Sequence, residues 1–222
     1  MPPQLARVLT TGIGIELIYS FVIIVASLMV YYGTRELYEL SSHKGIKYFR
    51  QAFLFFAIAY SIRFFIKFIL VYANKRQIIH LIPNPVGAII LFIFIYASAM
   101  AIFSLVYSLK WKKWRSFGMT VLHILAGVIA LIAVFVQEGP IVYLLLNFVL
   151  FGFIIYSVSV AYKNRKKKNT WYLIYLLLSV FWLLNIVDIL IPDFIQPFQF
   201  FIYLASLGAF LIVFYKVLRK SN

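Results

Sequence analysis

The stretch FLFFAIAYSIRFFIKFILVY, residues 53–72, decides how this chain is read. It is long and apolar enough to cross a ~30 Å hydrocarbon core as a helix, which takes ~20 such residues. Arg63 and Lys67 nevertheless interrupt it, one helical turn apart. An ionised side chain inside a spanning helix costs at least ~2.5–3.5 kcal/mol on insertion scales, so it marks a partner or a function. No other long apolar run in the chain carries two cations at this spacing.

The rest of the composition agrees with a membrane setting. Of 222 residues, 64% are hydrophobic and only 12% charged, against ~25% charged in a soluble domain. With 23 Phe and 16 Tyr, the chain suits lipid-facing surfaces and interfacial belts. Cysteine is absent, which excludes disulfides, thiolate metal sites and cysteine nucleophiles. No segment is polar enough and long enough for an extramembrane domain, so residues 1–222 are read as one membrane domain. The tail 1–11 lacks a basic start and a small-residue cleavage site, and the first apolar run is expected to stay in the protein.

Seven spanning helices are predicted, at about 12–32, 46–72, 86–109, 117–136, 141–162, 171–191 and 198–218. Ser41-Ser42 and Gly45 break the first connection. Pro83 and Pro85 end one helix and start the next. Trp111 and Trp114, set among cations, read as an interfacial anchor. The net charge of +15 could suggest nucleic acid, but its cations cluster at the ends of the apolar runs. Connections 1–2, 3–4, 5–6 and the C-terminal end hold sixteen Lys/Arg, against Arg7, Lys75 and Arg76 on the other side. By the positive-inside rule the N-terminus is outside and the C-terminus cytoplasmic, in the multi-pass arrangement of a cell-membrane protein. The expected partners are the bilayer and anionic headgroups at the cytoplasmic loops, and no nucleic acid.

With seven helices, 1–3 and 5–7 run in the same directions. LIPN (81–84) parallels LIPD (190–193), and IYASAMAIF (95–103) parallels IYLASLGAF (202–210), which suggests a 3+1+3 internal repeat with helix 4 as linker.

Four charges fall at similar depth. At ~1.5 Å of rise per residue, Arg63 lies ~24 Å and Lys67 ~30 Å from Lys47, Asp188 ~25 Å from Trp171, and Glu16 ~28 Å from Arg35. All four therefore sit near the outer boundary. Tyr60, Arg63 and Lys67 share one face of helix 2, as Asn185 and Asp188 share one face of helix 6. Three readings follow: cations snorkelling to headgroups without partners, a structural ion pair between helices, or a solute site formed by Arg63, Lys67, Asp188, Glu16, Tyr60 and Asn185. His43, His80 and His123 provide no i, i+4 ligand pair, so neither metal nor haem is expected, and His123 reads as a packing residue. The six acidic residues are scattered and no catalytic triad can be assembled, so neither an enzyme nor a cofactor is expected. Gly12 and Gly14 lack the context of a nucleotide loop.

The seven-helix plan resembles that of rhodopsins and receptor-like sensors in topology alone, because Lys216 lies at the cytoplasmic end of helix 7 and its centre has no lysine. The 3+1+3 plan resembles that of PQ-loop and small sugar-efflux transporters, yet the Pro-Gln pair is missing and Gln196-Pro197 stands in reverse order. The expected function is binding of a small polar or anionic solute at the charged cluster, for transport. The alternatives are a ligand sensor signalling to a cytoplasmic protein through the basic loops 110–115 and 163–168, or an accessory subunit of a membrane complex.

Overall fold

A computed structural model describes residues 3–75, 84–114, 118–136, 140–163, 171–190 and 196–221. These form α1 (Pro3–Gly33), α2 (Arg35–Ser41), α3 (Lys44–Lys75), α4 (Asn84–Lys110), α5 (Gly118–Phe135), α6 (Pro140–Lys163), α7 (Trp171–Leu190) and α8 (Gln196–Ser221), with no strand among the described residues. All but α2 are long and apolar enough to span a membrane. The chain is a seven-helix membrane bundle. His80, Pro83 and most of the basic stretch 163–168 lie outside the described residues.

The outer surface explains why the spanning helices are apolar all round rather than along one stripe. Ile18, Phe21, Val25 and Met29 point outward from α1, and Ile124, Val128, Leu131 and Phe135 from α5. Such continuous apolar exposure is rare on a soluble monomer and natural against lipid. Hydroxyl-bearing residues point the other way: Ser20, Ser27, Ser104, Ser157, Ser179 and Ser206 are buried. Small side chains between helices let backbones approach, which is how membrane helices associate without a water-driven force.

Connection 1–2 is more ordered than its composition suggests. Thr34 bonds the Val30 carbonyl through both its N–H (3.1 Å) and its Oγ1 (2.7 Å), and α2 continues almost directly from α1. An Arg35–Glu39 pair one turn apart spans it at 2.7 Å. It stops at Ser42, whose φ of 48° is left-handed and whose N–H bonds the Tyr38 carbonyl. The expected break at Ser41-Ser42 is therefore present, but most of the expected loop is helix. Arg50, counted among the loop cations, is half-buried and donates from Nε to the Tyr31 carbonyl at 3.0 Å. Trp111 packs edge-on against His43 and Trp114 stacks on Tyr156, so both tryptophans pack across helix ends.

Six helices close a ring in the order α1, α3, α4, α6, α7, α8 and back to α1, while α5 packs outside it, chiefly on α4. Within this ring α1–α3–α4 and α6–α7–α8 are consecutive neighbours, and they meet at α1/α8 and α4/α6. The ring is filled midway by Phe53 and Phe56 of α3, Phe181 of α7 and Phe210 of α8. Phe181 and Phe210 lie 5.0 Å apart, and Phe53 and Phe210 5.9 Å. All four are essentially inaccessible.

Candidate functional site

The aromatic layer ends one turn below Tyr60, and there the bundle interior turns polar. Tyr60, Arg63 and Lys67 climb one face of α3 toward its C-terminal end, at the spacing that stacks side chains one above another. Glu16 and Tyr19 face them from α1, Asn185 and Asp188 from α7.

Arg63 is the hub. Its Nε and Nη2 both donate to Glu16 Oε1, at 3.0 and 2.8 Å. Nη2 also reaches Asp188 Oδ2 at 3.2 Å. Lys67 Nζ takes the other Glu16 oxygen, Oε2, at 2.9 Å. One turn lower, Tyr60 donates its hydroxyl to Asn185 Oδ1 at 2.9 Å, and the Tyr19 and Tyr60 hydroxyls share a hydrogen bond of 3.2 Å. Asn185 Nδ2 is fixed on the Phe181 carbonyl at 2.8 Å, which sets which way its amide oxygen points. The guanidinium also lies 5.9 Å from both the Tyr19 and the Tyr60 ring centroids. Tyr203 of α8 stacks on Tyr19 at 5.0 Å.

Burial grades along this row. The Glu16 and Asp188 side chains are 8% and 10% exposed, that of Arg63 20%, and that of Lys67 41%. Buried charges of this kind must be paired and hydrogen-bonded to be tolerated. Two cations and two anions make the cluster formally neutral. The sequence-derived residues Arg63, Lys67, Asp188, Glu16, Tyr60 and Asn185 therefore all meet in one place. The reading in which the two cations have no partners is corrected: both are ion-paired, because α1 and α7 bring carboxylates to the same height as the α3 cations.

Beside the cluster lies a cavity of about 390 Å³, inside the ring and walled by α1, α3, α4, α6 and α7. Its charged end is the cluster itself. The remaining wall is mainly apolar, with Phe56, Leu91, Ile95, Leu150 and Trp182, and with Ser98 and Asn147 as polar exceptions. Two residues of this wall carry buried polar atoms turned away from the open space, Asp188 Oδ1 and Trp182 Nε1, and the Asp188 carboxylate also interacts with the Tyr203 hydroxyl of α8.

Over 99% of its length the chain is 31% identical to a protein of Archaeoglobus fulgidus, of which the match covers 97%, described as an uncharacterized protein. The chain belongs to the same family as that protein. No family model matches the chain, and no solved structure matches it.

Sequence reasoning did not find Tyr19, Tyr203 or Trp182. Tyr19 follows Glu16 by three residues and Trp182 precedes Asn185 by three, so helical spacing alone could have placed each beside a named residue. His123, on α5 outside the ring, bonds the Tyr96 hydroxyl through Nδ1 at 2.6 Å and is 6.3 Å from the Phe55 ring. It is a packing residue, as expected.

Proposed function

We propose that this membrane protein binds a small polar solute in the cavity beside Arg63, Lys67, Glu16 and Asp188 and carries it across the bilayer. The observation that carries this reading is the cavity itself. It has the size of a small-molecule site, typically ~300–1,000 Å³, and it combines an apolar wall with charged groups at one end. It also lies where α1, α3 and α4 face α6 and α7, and sites between two helical halves are the usual plan of transporters that alternate access. The Phe53, Phe56, Phe181 and Phe210 layer beneath it would then be the closed barrier, with the site facing the less basic side of the membrane. By the cation count that side is the outside.

The test is uptake into proteoliposomes from a panel of amino acids, organic acids and sugars. A solute should accumulate with the native chain and fail to do so with Asp188→Asn, while that variant still purifies as a folded protein. Uptake unchanged in Asp188→Asn would overturn the assignment. A solute that binds but is never transported would favour a sensor working through the basic loops 110–115 and 163–168.

A further inference from the structure

A second charged site lies toward the other end of α3 from Arg63, and it stands whatever the cavity holds. We propose that Arg50 binds the phosphate of an anionic phospholipid, whose acyl chain lies along the outer face of α3.

Arg50 is a half-buried cation without an anion. Its Nε donates to the Tyr31 carbonyl at 3.0 Å, and its guanidinium carbon lies 4.8 Å from the Tyr31 ring centroid and 5.9 Å from that of Tyr38. These contacts hold the group in place and use only one of the five N–H donors that a guanidinium carries. The remaining donors, on Nη1 and Nη2, have no partner among the described residues, and both nitrogens reach the surface. No carboxylate among those residues pairs with Arg50. Glu36 and Glu39 of the neighbouring α2 are exposed, and Glu39 holds Arg35 at 2.7 Å. Arginine keeps its charge at any working pH, and a cation at membrane depth calls for a counter-ion. A positioned fork with its outer donors free matches the oxygens of a phosphate.

The surroundings are those of a lipid headgroup. Phe49, beside Arg50 in the chain, packs edge-on against Trp171 at 5.1 Å, and His43 against Trp111 at 5.5 Å. This end of α3 therefore lies among tryptophans, the residues that mark a membrane–water interface. Tyr32 and Leu40, next to the helices that flank Arg50, are 64% and 88% exposed. Lys47, Arg50, Leu54 and Ile58 follow at three- and four-residue steps and form one stripe on α3. Lys47 is exposed and adds a second positive charge to the head of the stripe. Ile58 is exposed too and, with the half-buried Leu54, gives an apolar track below it. Two cations above an apolar track fit an anionic lipid, whereas a free phosphate would use only the upper part.

The experiment is a thermal-shift titration of the full chain, delipidated in a non-ionic detergent, because a ligand of the folded state raises the melting point by mass action. The probes are dioleoyl phosphatidylglycerol, dioleoyl phosphatidylcholine, dioleoylglycerol and inorganic phosphate. Phosphatidylglycerol should stabilise most. Phosphatidylcholine should stabilise less, since its choline meets Lys47, and the other two should be silent at equal concentration. Arg50→Gln should weaken phosphatidylglycerol roughly ten- to a hundredfold, the value of a hydrogen bond between charged groups. Lys47→Gln should weaken it roughly fivefold, as one cation near a lipid surface does. Lys112→Gln, which removes another exposed cation at the same end of the bundle, should change nothing. Arg50 also ties α3 to α1, so Lys47→Gln against Lys112→Gln carries the test if Arg50→Gln does not purify folded. Equal weakening by those two lysine variants would mean diffuse attraction to the basic end and would overturn the site. So would an unchanged response in Arg50→Gln, or dioleoylglycerol or inorganic phosphate matching phosphatidylglycerol. Silence from all four probes would overturn it as well, and each of these outcomes leaves the solute-binding reading untouched.

Discussion

Arg63 and Lys67 look equivalent in the sequence, and the structure separates them. Arg63 holds two carboxylates that are both about nine-tenths buried, whereas Lys67 is partly exposed and shares Glu16 with Arg63. Removing Arg63 leaves Asp188 without its ion-pair partner and Glu16 with only Lys67. Arg63→Ala should therefore lower stability by about 3–5 kcal/mol, the cost of breaking a buried pair from one side. Lys67→Ala should cost about 1 kcal/mol or less, as half-exposed pairs do. Thermal unfolding of the two variants in the same detergent checks this, and equal losses would contradict the hub arrangement. The cations were legible in the sequence because a charge in an apolar run stands out by its cost. Tyr19 and Tyr203 were not, since among 16 Tyr and 23 Phe a single ring carries no signal. Trp182 was hidden for the same reason, and its place on the cavity wall emerges only from the folded neighbourhood.

The helices were readable from runs of apolar residues because a bilayer demands a nearly fixed length. Their ends were less so. TRELYELS reads as a polar connection, yet it is helical because Thr34, Ser42 and the Arg35–Glu39 pair supply its local hydrogen bonds. Glycines at helix ends show how tightly the basic end is packed. A Cβ on Gly45 would stand 2.7 Å from the Ser108 carbonyl oxygen, a backbone atom of α4, and 2.8 Å from the His43 ring. A Cβ on Gly33 would meet only the Leu218 side chain, at 2.5 Å, whose rotamer can yield. Gly45→Ala should cost about 1–3 kcal/mol through forced separation of α3 and α4, and Gly33→Ala clearly less. Gly118, at φ 63°, starts α5 in the left-handed region with open space around it. Alanine there should cost about 1 kcal/mol from the backbone alone. Melting temperatures of the three variants should therefore fall in the order Gly45, Gly118, Gly33, with Gly45→Ala the lowest.

Taken together, the helices divide the bundle interior into a hollow part with a charged end and a filled aromatic part. Because the chain has no cysteine, introduced cysteines can report this division without background. Ser98 of α4 lies on the cavity wall, and Ser104, ~9 Å further along the same helix, is fully buried. A membrane-impermeant maleimide should label Ser98→Cys from the outer face alone and leave Ser104→Cys unmodified in the folded protein. Labelling of both at similar rates would mean that the phenylalanine layer does not close the bundle. This division was only half legible in advance. The charges announced the charged end, but a cavity is a property of how five helices fail to touch, and no single stretch of sequence encodes it.

The placement of α5 outside the ring has a consequence of its own. The ring closes through α4 and α6 without it, yet α5 packs closely on α4, burying Leu122, Ala126, Ile129, Ala130 and Ala133, and it also supplies parity. A chain that crosses a membrane three times must cross once more before a second three-helix unit can start on the same side as the first. Excising α5 would leave every ring contact formally available, yet it would force the α6–α7–α8 unit to enter upside down. Asp188 would then emerge at the wrong height and the basic stretches would fall on opposite sides. A replacement for α5 must therefore cross the membrane once and also present a small-residue face like that of Ala126, Ala130 and Ala133. Both its crossing and its buried face are constrained.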